Sequence, residues 1–171
     1  GRRRAIMEEA CRDLGISFYA ESAPDPLSDV GVAGAQQFIL EKMPIWLEKY
    51  GKDTAFLCTN YIHIEPMLMR VIEQGGYVVD LFSPIMGLPG ALGIDLSREK
   101  GNWPAILKKV ERFVVEAGAG GRIGTGAFSY DYTNVVALVE FGKRCIEGKA
   151  RLESLTDLRA CYELHTPGAH W

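Results

Sequence analysis

Eight consecutive residues, Cys58 to Glu65, hold a thiol, a hydroxyl, an amide, a phenol, an imidazole and a carboxylate within the stretch FLCTNYIHIEP. Three chemistries could use such a set. A nucleophile would pair Cys58 with His63, but no glycine-flanked elbow of the G-x-S-x-G kind surrounds the cysteine. A metal would take His63 and Glu65. That H-x-E pair lacks further ligands nearby, since His165 and His170 lie in the weakly patterned tail. Acid–base catalysis would use Glu65, His63 or Asp131, and no defined constellation joins them. A plainer reading serves the same residues. Asn60 hydrogen-bonds backbone at a strand-to-helix turn. Glu65, just before Pro66, sits at a helix start where the positive dipole end favours a carboxylate. No catalytic residue, metal site or cofactor is assigned on this pattern.

Two glycine-rich segments invite a phosphate-loop reading. Gly118-Ala119-Gly120-Gly121-Arg122 follows a helical pattern and precedes an apolar one, the reverse of the required order, and reads as a helix stop. Gly87-Leu88-Pro89-Gly90 follows a strand pattern but has neither G-x-G-x-x-G nor the lysine of a nucleotide loop.

The elements that must position these residues follow from periodicity. Helices are expected over Arg2 to Leu14, Gly34 to Tyr50, Pro66 to Gln74, Trp103 to Ala117 and Thr133 to Gly148. Another is expected within Leu152 to Glu163. Pro44 predicts a kink or a fresh helix start within the second. The inward faces are Ala35, Phe38, Ile39, Ile45 and Trp46 in that helix. Met67, Leu68, Val71 and Ile72 form that of Pro66 to Gln74, Ile106, Val110, Phe113 and Val114 that of Trp103 to Ala117, and Val136, Leu138, Val139, Phe141 and Ile146 that of Thr133 to Gly148. Strands are expected at Ile16 to Ala20, Thr54 to Cys58, Tyr77 to Phe82 and Arg122 to Phe128, with a short one over Ala91 to Leu96. This alternation implies parallel strands with right-handed crossovers and helices on both faces: an α/β, three-layer α/β/α, Rossmann-like fold. Residues 1–150 form the ligand-binding-like lobe and 151–171 a tail ending loosely from Thr166.

Ligands in such folds bind at the C-terminal ends of the strands. That rule selects the loops Ser22 to Asp29, Thr59 to Glu65, Ser83 to Leu88 and Ser129 to Asn134. The expected ligand-facing residues are Asp25, Thr59, Asn60, Tyr61 and Glu65, joined by Asp80, Ser83, Phe128, Ser129 and Tyr130. The aromatic pairs Phe128/Tyr130 and Tyr61/Phe82 could stack on a small polar molecule.

Composition agrees with a packed domain. The 171 residues are 47% hydrophobic and 24% charged, enough to bury a core without metals or disulfides. A net charge of -3, with Arg2-Arg3-Arg4 the main basic run, gives nucleic-acid binding little support. No apolar stretch approaches the roughly 18 residues of a membrane span. Cys11, Cys58, Cys145 and Cys161 form no CxxC pair, so a zinc ribbon or thioredoxin motif is not expected. Spacing does not decide whether any pair is oxidised. Gly1 leads straight into a helical pattern, and the expectation is a piece of a longer protein.

The segments APDPLSDVGVAGAQQFILEKMPIWLEKYGKDTAFLCTN, EPMLMRVIEQGG and PGALGIDL resemble a family of bacterial proteins of unknown function. The resemblance covers most of residues 2–149. It implies a type I periplasmic-binding-protein-like fold, often in exported lipoproteins. A strand ending in Thr59-Asn60 also resembles the strand end of type I sugar-binding proteins and their repressor relatives. There such residues point into the cleft between two lobes. Tyr61 stands where those proteins carry an acidic residue. The resemblance implies a solute-binding module for uptake or sensing, working with an ABC-type permease or a membrane sensor. It implies a periplasmic or cell-surface lipoprotein; the four cysteines lean instead toward the cytoplasm. An enzyme on the same rim and the effector domain of a transcriptional regulator are the alternatives.

Overall fold

A computed structural model describes residues 2–167 and 169. The expectation for His170 and Trp171 lies outside the described residues. The chain is α/β: among the described residues there are seven α-helices and a small parallel sheet. In order they are α1 (Arg2–Asp13), α2 (Gly31–Tyr50), α3 (Ile64–Gln74), β1 (Val78–Leu81), α4 (Leu88–Leu92), α5 (Trp103–Glu116), β2 (Ile123–Thr125), α6 (Tyr130–Ile146) and α7 (Leu155–His165). Short 3-10 turns lie at Tyr61–His63 and Ser97–Glu99.

The core forms where α2, α3 and α5 pack around β1. Met43, Leu47, Met67, Leu68, Val71, Val78, Ile106 and Val110 are all buried there. Amphipathic spacing places Met67, Leu68 and Val71 on one side of α3, as periodicity predicts. The α2 face follows expectation except at one residue: Ala35 and Ile39 are buried, Phe38 and Trp46 pack against the core, Ile45 is exposed, and Met43 and Leu47 complete the stripe.

Pro44 neither starts a new helix nor ends α2, which runs through it for 20 residues. A proline at 44 cannot donate to the carbonyl of residue 40. That carbonyl is satisfied from outside: Arg70 Nε of α3 donates to Leu40 O at 3.0 Å. The helix therefore keeps its acceptor count through a partner 30 residues away.

The sheet is smaller than expected. β1 and β2 pair in parallel, Val78 with Ile123 and Leu81 with Thr125, with an irregularity between. The expected strand at Thr54 to Cys58 makes a single parallel bridge, Ala55 with Tyr77. Ile16 to Ala20 forms no strand: among the described residues its one backbone hydrogen bond is Ile16 N–H to Cys11 O at the end of α1, and no other strand pairs with it. The expected strand over Ala91 to Leu96 is replaced by α4 and a coil. Gly87 enters α4 at φ +71, a left-handed turn that glycine adopts freely, with Pro89 in the first turn.

Arg122 binds the two halves of this core. Its guanidinium donates to Val71 O at 2.7 Å and Gly76 O at 3.2 Å, and more loosely to Ile72 O and Gly118 O. Val71 O also accepts from the Gly75 N–H, and the cation adds a second donor there and reaches Ile72 O at the negative end of α3. The glycine run before Arg122 is the helix stop that its position predicts: Ala119 N–H donates back to Val114 O.

α6 and α7 build a second, smaller cluster around Ala137, Phe141 and Cys161. The tail is thus helical and packed, and Thr166 is buried. On α6 the expected inward residues Leu138, Val139 and Ile146 are exposed, while Phe141 is buried. Periodicity marks an apolar stripe; it does not say which stripe a neighbour covers.

Candidate ligand-binding rim

The loop after Thr54 to Cys58 turns at once. Asn60 Oδ1 accepts from Ile62 N at 3.1 Å, capping the turn that leads into α3. Thr59 is exposed, and so is Tyr61, whose ring meets Phe82 edge-on with centroids 5.4 Å apart. That contact joins the first loop to the one after β1.

Phe82 in turn touches the loop after β2. Gly126 N–H donates to Leu81 O at 2.7 Å. A Cβ at Gly126 would stand 3.2 Å from Phe82 O and 3.4 Å from Phe128 O, so glycine permits this approach. Phe128 then packs edge-on against Trp103, which also meets Tyr132. Three successive strand-end loops are therefore side by side on one edge of the sheet.

The ten expected residues divide by what they do here. Tyr61 and Tyr130 present exposed rings, and Thr59 an exposed hydroxyl. Phe128 is half-buried in the aromatic group. Ser83 and Ser129 are buried and work on backbone: Ser83 Oγ accepts from Ile85 N, and Ser129 Oγ accepts from Tyr132 N at the start of α6. Glu65 lies in the first turn of α3, its carboxylate over Gly90 of α4. Asp25 is exposed and forms a local turn, accepting from Leu27 N and, through its carbonyl, from Ser28 Oγ. Among the described residues no hydrogen bond ties it to the other loops.

Asp80 is half-buried, and burial holds its carboxyl above the ordinary value, offset in part by its own backbone N–H. It also acts on Cys58. Burial first, then the Asp80 charge, pushes the Cys58 thiol up to about 12. The thiol lies 3.2 Å from Met67 Sδ. A thiol so protonated is a poor nucleophile at neutral pH. His63 is buried, with Nε2 lacking a partner among the described residues, and no hydrogen bond links it to Glu65 or Asp131. Among the described residues no three His, Cys, Asp or Glu side chains are grouped to hold a metal.

Sequence reasoning missed Trp103 and Tyr132. With Asn102, Lys100, Phe128 and His165 they line an open cleft of ≈ 600 Å³ between the start of α5, the loop after β2 and the end of α7. The one available signal was Asn102-Trp103-Pro104, a capping residue and a helix-start proline around a large aromatic. Asn102 Oδ1 does accept from Ala105 N.

Comparison with known proteins places the chain. A family model described as "Protein of unknown function (DUF3798)" matches residues 1–124, and a second family model matches residues 135–171. An uncharacterized protein of Treponema pallidum (strain Nichols) is 34% identical over 121 residues, which are 71% of this chain and 55% of that protein. A crystal structure from Clostridium difficile 630, described as a candidate transcriptional regulator, superposes with a TM-score of 0.73 at 21% identity. It covers 95% of this chain and 47% of that one. At that identity the likeness shows fold alone. The chain belongs to the DUF3798 family and spans about half the length of these relatives. Neither the family description nor the relative points to enzyme chemistry. None of the described helices is long and apolar enough to cross a membrane.

Proposed function

We propose that this DUF3798 chain forms the core of one lobe of a two-lobed, solute-binding protein that captures a small polar molecule for uptake or sensing and performs no chemistry on it. One observation carries the reading. Three strand-end loops converge on one edge through the Tyr61–Phe82 ring contact and the Gly126 approach to Phe82. That edge is where open parallel sheets bind ligands. The proposed lobe is a three-layer, Rossmann-like one of the type I periplasmic-binding kind. Closure of a second lobe over the rim is the mechanism. A permease or membrane sensor would read the closed state, and a periplasmic or cell-surface location follows from that role.

Exposed rings beside backbone groups suit a compact polar molecule with a flat or apolar face. Native and denaturing mass spectra of the complete gene product test the proposal. An added mass that disappears on denaturation, and is absent in Tyr61→Ala/Phe82→Ala, supports it. No added mass, together with no thermal shift across a broad panel of metabolites, overturns it. The name carried by the Clostridium difficile relative favours a second reading, an effector-binding domain of a regulator. Sequence-specific DNA binding by the complete protein, altered by the same small molecule, would select that reading.

A further inference from the structure

The cleft at Trp103 combines aromatic walls with hydrogen-bond donors that nothing uses. Trp103 is its floor, only 5% exposed. Phe128 and Tyr132 stand nearly at right angles to that floor, with interplanar angles of 82° and 76° and centroids 6.3 and 5.5 Å from it. Leu164 and Pro167 add apolar surface from the end of α7. Small-molecule sites occupy about 300–1,000 Å³. The ≈ 600 Å³ of this cleft falls within that range.

The polar groups of the cleft are Lys100, Asn102, Tyr132 and His165, and all four can donate. Asn102 uses its Oδ1 to accept from Ala105 N, which leaves its amide N–H groups free. The Tyr132 hydroxyl stands over the turn at Gly101, 3.9 Å from where a Cβ would lie. Among the described residues neither that hydroxyl nor the side chains of Lys100 and His165 have a hydrogen-bond or ion-pair partner. The acids beside the two bases are engaged elsewhere. Glu99, next to Lys100 in the chain, is held by Lys109 at 3.0 Å. Glu140, whose carboxyl feels His165, is held by Arg144 at 2.8 Å. Among the described residues no Asp or Glu lines the cleft.

We infer that this cleft is a second binding site, separate from the Tyr61–Phe82 rim, for an ionised aromatic carboxylic acid. The flat body lies over Trp103 between Phe128 and Tyr132, where offset or edge-on ring contacts are available. The carboxylate takes charge-assisted hydrogen bonds from Lys100 and His165, and Asn102 and Tyr132 can fill its remaining lone pairs. An organic cation would meet Lys100 with no carboxylate to balance it. A saturated acid of similar size would keep the charge and lose the ring contacts. The lining also comes from separate parts of the chain. Residues 100–104 lie within the DUF3798 match, 164–167 within the second family match, and Phe128 and Tyr132 on the segment that joins them. α6 and α7 have their own small core, so a ligand here touches both packed units at once. Junctions of that kind are favoured places for small-molecule sites.

Calorimetric titration of the complete gene product with 2-naphthoate, its neutral amide and cyclohexanecarboxylate tests both halves of this recognition. The expected result is saturable one-to-one binding of 2-naphthoate. The amide lacks the charge and the saturated acid lacks the rings, and each should bind at least about tenfold more weakly. Lys100→Gln/His165→Gln should weaken 2-naphthoate by about tenfold or more. Both side chains are free of bonds within the fold, so this variant should unfold at the parent's temperature when no ligand is present. Trp103 is part of the core, so its role is read without a substitution: NOEs from the naphthoate ring should reach the Trp103 and Tyr132 rings. Absence of binding at millimolar 2-naphthoate overturns the inference. So does equal affinity for either control compound, or undiminished binding in the Lys100/His165 variant. Binding lost in Tyr61→Ala/Phe82→Ala but kept in Lys100→Gln/His165→Gln puts the acid on the rim, which overturns this site and leaves the rim reading standing.

Discussion

The junction of Pro44 with Arg70 offers a prediction with the single-variant effects cancelled. Arg70 Nε donates to the Leu40 carbonyl at 3.0 Å, and Arg70 Nη1 meets Glu73 at 2.7 Å. A hydrogen bond to a charged group contributes about 1.5–3 kcal/mol, and a partly exposed ion pair such as this about 0–1 kcal/mol. Replacing Arg70 with Met keeps the aliphatic stem and removes both. With Pro44 present, the Leu40 carbonyl then has no donor, and the expected loss is about 2–3 kcal/mol. With Pro44→Ala, the residue 44 amide supplies that carbonyl, and Arg70→Met should cost only about 1 kcal/mol. The four proteins form a double-mutant cycle with an expected coupling of about 1–2 kcal/mol. Urea unfolding with unchanged m-values measures it from the shifts in midpoint concentration of the four proteins. Equal costs of Arg70→Met in both backgrounds would refute the argument that the arginine stands in for the missing amide.

Other outcomes follow from single sites. Arg122→Ala should lower stability by about 3 kcal/mol through loss of the bonds to Val71 O and Gly76 O, and Arg122→Lys should recover less than half, since a point charge cannot fork; thermal unfolding reads both. Gly87→Ala should cost about 1–3 kcal/mol in denaturant unfolding, because φ is +71 and the added Cβ would stand 2.9 Å from Ile64 Cγ2. The Asp80 carboxyl is raised above 3.8, so the folded chain holds its proton more tightly than the unfolded chain. Stability therefore falls as pH rises through these values. Asp80→Asn should be the more stable protein at pH 7, with its advantage gone below pH 3.8; an advantage that persists in acid would show another cause. Alkylation of the native protein near pH 7.5 should label Cys11 and Cys145 before Cys58 and Cys161. The Cys58 thiol is pushed up to about 12 and Cys161 is fully buried. Labelling of Cys58 as fast as Cys11, read by mass spectrometry, would contradict that burial.

Local chemistry was legible in the amino-acid sequence wherever the relevant partners are neighbours in the chain. Asn60 as a turn cap, Glu65 in the first turn of α3, the Met67-Leu68-Val71 stripe and the glycine stop before Arg122 all act within a few residues. Capping and periodicity depend only on that local backbone geometry. The order of elements set the α/β class for the same reason. Tertiary structure alone decided the rest. Leu138, Val139 and Ile146 have the pattern of a core face, but they are exposed among the described residues. Ile16 to Ala20 has the pattern of a strand, and a strand exists only when other backbone takes its hydrogen bonds. Pro44 reads as a break until Arg70 answers its missing donor from α3. Trp103, Phe128 and Tyr132 meet across a span of sequence in which nothing links them. Propensity and period describe one segment at a time, whereas burial, pairing and a binding rim are properties of two or more segments together. What the chain does locally was written in its residues, and which faces meet was settled only when the helices and strands packed.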